Sequence, residues 1–108
     1  MDPLKLIVTL KGKASKAFSS PAGVYILGPN LISGRSHWLQ NSGSNAIWCE
    51  EENVSKWVIG LQSGRGDIYS YNDVTSPQEA TTWEYYDGNN FIPIADILIE
   101  SGTLMIIA

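Results

Sequence analysis

The sequence contains only one cysteine and one histidine, Cys49 and His37, which excludes several kinds of protein. A lone cysteine cannot form a disulfide within the chain, so the disulfide-stapled class of small secreted domains is excluded. Structural zinc needs several cysteine or histidine ligands, and we therefore expect no metal and no cofactor. Because Cys49 alternates with Trp48 on a predicted strand and three glutamates follow it, we expect a structural cysteine and no catalytic residues.

Long apolar runs are also missing. A membrane-spanning helix needs about 20 consecutive apolar residues, and no run in this sequence approaches that length. The N-terminus lacks the apolar core and the small-residue cleavage site of a signal peptide. We therefore expect no membrane partner, while the cellular compartment stays open.

Positive charge is scarce over most of the chain. The formal net charge is −4, and only two of the seven basic residues, Lys56 and Arg65, lie beyond residue 37. All eleven acidic residues except Asp2 lie beyond residue 49. An acidic body of this kind repels phosphate backbones, so nucleic acid is not an expected partner.

Helical periodicity is absent as well. No segment repeats apolar residues every 3.6 positions for long enough to predict an amphipathic helix. Clusters of glycine, serine and asparagine recur about every ten residues instead, which is typical of all-β domains. We predict one all-β domain over residues 1–108, with mainly antiparallel strands in a barrel, a roll or a compact sandwich.

The predicted strands are short and rich in aromatic and aliphatic residues. Their ranges are 4–10, 23–27, 37–40, 46–50, 56–61, 68–71, 83–86, 91–94, 97–100 and 103–107. Residues 83–94 carry the strongest hairpin signal. Ser101 and Gly102 predict a turn between the last two strands, and Ser76 and Pro77 predict one helical turn, with Glu79 completing a capping box. The most aliphatic strands, 4–10 and 103–107, are expected near the centre.

What the sequence does contain is a large set of aromatic residues: four tryptophans, five tyrosines and two phenylalanines. Short strands with alternating faces cannot point all of these rings inward. Tyr69 and Tyr71 share one face of their predicted strand, whereas Tyr85 and Tyr86 lie on opposite faces of theirs. One of the latter pair should therefore support the core and the other should face solvent or a ligand.

Exposed rings beside polar loop groups suit the capture of a peptide or the stacking of a sugar. We therefore expect a non-catalytic binding or interaction module, either complete or excised from a larger protein, with a protein or carbohydrate ligand. Arg65-Gly66-Asp67 resembles the tripeptide that integrin-type receptors recognise, although matches of three residues are common by chance. The candidate ligand-binding residues are Trp38, Tyr69, Tyr71, Tyr85, Tyr86, Arg65 and Asp67.

Two alternatives stay open. One is a small hydrolase that uses the loop carboxylates, such as Glu50, Glu51 and Glu52, since paired carboxylates can cleave glycosides when their separation is suitable. The other is a purely structural β module in which every ring belongs to the core. A concave cleft with two facing carboxylates would favour the hydrolase, and a shallow exposed Trp/Tyr patch would favour binding.

Overall fold

The computed structural model describes residues 3–11, 21–32, 34–51, 56–61, 68–86 and 89–102, and nearly all of its regular structure is β-strand. Within these ranges, no helix has the length and apolar composition that a membrane crossing requires. The strands are β1 (Lys5–Leu10), β2 (Gly23–Leu27), β3 (Trp38–Gln40), β4 (Asn45–Glu50), β5 (Lys56–Leu61), β6 (Ile68–Ser70), β7 (Trp83–Tyr86), β8 (Phe91–Ile94) and β9 (Ile97–Gly102).

The nine strands form one antiparallel sheet in the order β8-β7-β6-β5-β4-β3-β2-β1-β9. From β1 to β8, each strand pairs with the next one along the chain. Four of the seven connections, those after β3, β4, β5 and β7, have only four to six residues, and antiparallel neighbours can be joined by such short turns. The predicted all-β class is confirmed, and among the three predicted architectures the sheet is barrel-like.

Residues 91–102 bring the two ends of the sheet together. Both β8 and β9 run opposite to β1, and only Ala95 and Asp96 separate them. They are therefore two halves of one bent strand, the first pairing with β7 and the second with β1. The backbone N–H of Lys11 donates to the carbonyl oxygen of Asp96 at 3.0 Å, which holds the bend against the end of β1. This switch of partner nearly closes the barrel.

Alternation along the strands fills the interior of this barrel. Leu6, Val8 and Leu10 of β1 point inward and are buried, whereas the residues between them are partly exposed. Each strand contributes in the same way because successive side chains lie on opposite faces. The buried interior residues are Leu6, Val8, Leu10, Tyr25, Trp38, Ile47, Cys49, Trp57, Ile59, Ile68, Trp83, Ile94 and Ile99.

A second, smaller apolar cluster lies on the outer face of β4 and β5. Ala46, Trp48 and Val58 point outward, yet they are buried because other residues cover them. The covering residues include Tyr69 of β6 and Ile32. The backbone of Ile32 exchanges two hydrogen bonds with Arg35, of 2.8 and 3.0 Å, and so forms a turn between β2 and β3. This part of the sheet is therefore covered on both faces.

The connection between β6 and β7 contains the predicted helical turn, a 3₁₀ turn at Pro77–Glu79 with Ser76 at its N-cap. The predicted capping box is not formed, because the Ser76 side chain makes no cap hydrogen bond. Its hydroxyl contacts the Gln78 amide oxygen instead, while the Glu79 carboxylate accepts a 2.8 Å bond from the Thr75 hydroxyl. A single 3₁₀ turn leaves the capping side chains close to such competing local partners.

The predicted turn at Ser101 and Gly102 is wrong. Both residues belong to β9, where Ser101 lies opposite Leu6 and Gly102 lies opposite Lys5. Pairing with β1 supplies backbone partners over the whole of β9 and extends the strand through two residues that locally favour a turn. The predicted strand 103–107 lies outside the described residues. Strand β1, which the sequence predicts near the centre, is second from the end of the strand order. It still has a partner on each side, because it pairs with both β2 and β9.

Candidate functional site

Of the candidate ligand-binding residues, Tyr69, Tyr71 and Tyr86 point outward on neighbouring strands or strand ends. Tyr69 is partly buried, Tyr71 is 44% exposed and Tyr86 is 50% exposed. Phe91 is 48% exposed and lies directly opposite Tyr86 in the hairpin of β7 and β8. We call these four residues, together with Lys56 of β5, the outer aromatic surface.

The rings of the outer aromatic surface contact one another. The ring centroids of Tyr86 and Phe91 are 5.1 Å apart, with their planes inclined at 49°. The ring centroids of Phe91 and Tyr69 are 6.1 Å apart, with an interplanar angle of 73°. Tilted and edge-to-face contacts at these distances are favourable for aromatic pairs. The three rings therefore form a continuous apolar cluster on the outside of the barrel.

Lys56 supplies the positive charge of this surface. Its Nζ lies 5.3 Å from the ring centroid of Tyr69 and 5.9 Å from that of Tyr71. Both distances are within the range of a cation–π contact. The same Nζ is 4.0 Å from Oε1 of Glu50, which is on the adjacent strand directly opposite Lys56. Lys56 is thus held between two rings and a carboxylate.

Trp38 does not belong to this surface. Its side chain is fully buried, and its indole N–H donates a 2.8 Å hydrogen bond to the Pro3 carbonyl oxygen. Leu27 and Ile47 lie opposite it on the two neighbouring strands, which shows that Trp38 is on the interior face. The prediction of Trp38 as a ligand-binding residue is wrong, because strand alternation directs its ring into the core.

Tyr85 also faces inward. It is partly buried against the interior cluster and lies opposite Ile68 and Ile92. As predicted, the two adjacent tyrosines lie on opposite faces of the strand: Tyr85 supports the core and Tyr86 is exposed. Tyr85 is accordingly a packing residue. Arg65 and Asp67, the remaining candidates, lie outside the described residues.

Sequence reasoning missed Phe91, Lys56 and Glu84 as surface residues. The register of the β7–β8 hairpin carries the signal for two of them, since it places Phe91 opposite Tyr86 and Glu84 opposite Pro93. Lys56 alternates with the inward-facing Trp57, which directs it to the outer face. The predicted hairpin at residues 83–94 is confirmed, and its register puts Phe91 and Tyr86 on the same face.

Of the residues considered for catalysis, Cys49 and His37 are buried and Glu50 and Glu51 are beside basic residues, whereas Glu52 lies outside the described residues. Cys49 is almost completely buried in the interior, where a substrate has no access to its thiol. His37 is also buried, and its Nδ1 has no hydrogen-bond partner among the described residues. Glu51 pairs with Arg35 at 2.9 Å, and Glu50 is beside Lys56. No group of three or more potential metal ligands occurs within the described ranges.

Arg35 acts as a structural brace. Its Nε donates to Oε1 of Glu51 at 2.9 Å, and its Nη1 donates to the Val74 carbonyl oxygen at 3.3 Å. The hydrogen bond with Glu51 raises the pKa of Arg35 above its ordinary value, so Arg35 is a permanent cation. Trp57 donates its indole N–H to the same Val74 oxygen at 3.1 Å. The connection between β6 and β7 is thereby tied to the barrel wall.

A separate cavity of about 530 Å³ lies beside the turn between β3 and β4. Among the described residues that line it there is no charged side chain and no aromatic ring. Gln40 is fixed in this lining, because its Nε2 donates to the Ala22 carbonyl oxygen at 3.0 Å and its Oε1 accepts from Nδ2 of Asn45 at 3.0 Å. The lining residues are Ala22, Gln40, Ser42, Gly43, Ser44, Asn45 and Leu61.

Comparison of the chain with protein-family models, with curated proteins and with solved structures finds no match in any of the three.

Proposed function

We propose that this protein is a non-catalytic binding module that holds a peptide on the outer aromatic surface. The observation that carries the proposal is the contact of two half-exposed rings, Tyr86 and Phe91, with centroids 5.1 Å apart on the outer face of the sheet. A contiguous exposed apolar group rimmed by polar residues is typical of an interaction site. Tyrosine and phenylalanine are also enriched in protein interfaces.

The ring geometry favours a peptide over a glycan. Sugars stack on a flat ring face and need polar partners beside it. Here the planes of neighbouring rings are inclined at 49° and 73°, so the rings share no common plane. The cavity that includes Gln40 and Asn45 has no ring among the described residues of its lining. Inclined rings form ridges and clefts that accept the side chains of a peptide.

The same observations weigh against the two alternatives. A carboxylate-dependent hydrolase needs free carboxylates in a cleft, whereas Glu50 and Glu51 are beside Lys56 and Arg35. A purely structural module needs no half-exposed ring cluster, yet Tyr71, Tyr86 and Phe91 are each more than 40% exposed. We therefore favour binding as the function of this surface.

The test is selection of peptides from a phage-displayed random library, followed by comparison of three variants. Binding of the selected peptides should fall about tenfold in Tyr86→Ala and in Phe91→Ala, as is common for central aromatic contacts in interfaces. Leu98→Ala is the matched control, since Leu98 is 51% exposed on β9, outside the outer aromatic surface. Its binding should be unchanged. A library that yields no binder, or binders insensitive to both ring substitutions, would contradict the proposal.

A further inference from the structure

The outer face of β7 carries an acidic residue beside the aromatic cluster. Glu84 lies opposite Tyr69 of β6 and opposite Pro93 of β8, so a strand that supplies a ring flanks it on each side. It alternates with the inward-facing Trp83 and Tyr85, which directs it outward. Glu84 is partly exposed and forms no ion pair with any described residue. No described residue therefore compensates its negative charge.

Lys56, the cation of the outer aromatic surface, does not compensate the negative charge of Glu84. Lys56 is 4.0 Å from the carboxylate of Glu50, and its ammonium lies over the rings of Tyr69 and Tyr71. Its charge is thus matched by Glu50. Among the described residues of the surface and its immediate neighbours, the two glutamates and Lys56 leave one excess negative charge, which favours a positively charged ligand by complementarity.

The exposed rings favour the same kind of ligand. An aromatic face attracts a lysine or arginine side chain through its quadrupole, and the attraction is greater where water is excluded. The long apolar stem of such a side chain can lie along ring surface while its charged head reaches a carboxylate. Tyr86 and Phe91 provide half-exposed ring surface on the same outer face as Glu84.

We infer that the peptide held by the outer aromatic surface is basic, with a lysine or arginine whose stem lies on Tyr86 and Phe91 and whose head group pairs with Glu84. This inference rests on the proposed peptide-binding function. The distribution of charge along the chain supports it, since all eleven acidic residues except Asp2 lie beyond residue 49. An excess of one charge sign raises the association rate of oppositely charged partners.

The probes that test this inference are three acetylated and amidated pentapeptides with leucine at both ends and serine at the second and fourth positions. They differ only at the central position, which is lysine, norleucine or glutamate. Binding is measured by ¹H–¹⁵N NMR titration, following the amides of β6, β7 and β8. At low ionic strength the lysine peptide should bind about three- to tenfold more tightly than the norleucine peptide. The preference should shrink as salt screens the charges.

Two variants assign the preference to its residue. Glu84→Gln should lose most of the preference for the lysine peptide over the norleucine peptide, because the amide keeps the shape of the carboxylate and removes its charge, while the attraction of the rings for the ammonium remains. Glu100→Gln is the matched control, since it makes the same charge change at an exposed position on β9. It should keep the full preference. A lysine preference as large in Glu84→Gln as in the wild-type protein would overturn the assignment to Glu84.

The titrations also separate failure of the inference from failure of the proposed function. If the lysine and norleucine peptides shift the same amides with equal affinity, or if the glutamate peptide binds best, the basic-peptide inference is wrong while peptide binding stands. If no peptide shifts the amides around Tyr69, Tyr86 and Phe91, both the inference and the proposed function are wrong.

Discussion

Tryptophan and tyrosine are distributed differently between the inside and the outside of the barrel. All four tryptophans are buried, with Trp48 the most accessible of them at 7%. Trp38, Trp57 and Trp83 point into the interior, whereas Trp48 points outward and is buried by its neighbours in the outer cluster. Among the described residues, the half-exposed rings are Tyr71, Tyr86 and Phe91. Tyrosine suits such positions because its hydroxyl can stay hydrated while the ring packs.

Replacement of Tyr85 and of Tyr86 by alanine should have different effects. Tyr85→Ala removes a ring that packs on the core, so we expect a loss of about 2 kcal/mol in the free energy of unfolding, less than for a fully buried ring. Tyr86→Ala should cost less than about 1 kcal/mol, mainly from the lost contact with Phe91. Urea denaturation of both variants measures the difference. Equal losses would show that Tyr86 also has a packing role.

Cys49 should behave as a core residue. Its side chain is 1% exposed, and it lies opposite Trp57 on the interior face. Cys49→Ala should lower the free energy of unfolding by about 1 kcal/mol because it leaves a small void. Alkylation of the native protein near neutral pH should be slow, since it requires opening of the barrel wall. Rapid labelling of the folded protein together with loss of peptide binding would contradict this prediction.

At the scale of elements, residues 71–82 form an ordered connection without regular strand structure. Val74 and Ala80 pack on the interior cluster, and the 3₁₀ turn contacts β9. Oδ1 of Asn72 accepts hydrogen bonds from the backbone N–H groups of Thr81 and Thr82 at 2.7 and 3.0 Å. One side chain thus joins the start of this connection to its end. Without it, two N–H groups would depend on water alone.

Asn72→Ala should therefore lower the free energy of unfolding by about 1–2 kcal/mol, the net value of two hydrogen bonds to partly hydrated groups. Asn72→Asp is the matched control, because aspartate keeps the acceptor oxygen and the size of the side chain. It should retain most of the wild-type stability. Chemical denaturation of the two variants provides the comparison. The prediction fails if the alanine variant is as stable as the aspartate variant.

At the scale of the whole molecule, closure of the barrel depends on contacts between distant parts of the chain. Lys5 lies opposite Gly102, and Leu10 lies opposite Ile97. Pairing between segments so far apart in the sequence has a high entropic cost of loop closure. It therefore forms after local hairpins in most folding mechanisms. The hairpin of β4 and β5 differs, because apolar residues cover it on both faces. Stability should therefore vary around the barrel.

Hydrogen exchange should reveal this variation. The amides of β4 and β5 should be the slowest to exchange, since Ala46, Trp48 and Val58 are buried outside the barrel while Ile47 and Ile59 are buried inside it. The amides of β8 and β9 should exchange faster, because each of these half-strands has one pairing partner among the described strands. NMR of the protein transferred to D₂O measures both sets. Slowest exchange in β1 and β9 would contradict this order of stability.

Local sequence was sufficient for most of the strands and for the hairpins of β4 with β5 and of β7 with β8. The predicted ranges 23–27, 56–61, 83–86 and 91–94 match the observed strands in full. These segments depend on alternation and on turn residues, which act over a few positions. Ser101 and Gly102 were assigned wrongly for the converse reason, because their conformation depends on pairing with β1 at the far end of the chain.

The candidate site was predictable only in part. Alternation placed Tyr69 and Tyr71 on one face and separated Tyr85 from Tyr86, and the structure has both arrangements. It could not show which face of a strand is covered. Trp48 and Tyr86 both point outward, yet only Trp48 is covered, by residues that include Ile32 in a distant turn. Trp38 was placed wrongly because its own strand has three residues, which are too few to show a pattern.

Side-chain periodicity and the backbone preferences of turn residues are local properties, and they are enough to specify an all-β chain, its short strands and its principal hairpins. The partner switch of residues 91–102, the burial of Trp48 and the clustering of Tyr69, Tyr86 and Phe91 arise only in the folded molecule. These features depend on contacts between distant parts of the chain, since closing the barrel brings together residues as far apart as Lys5 and Gly102, which local preference does not specify.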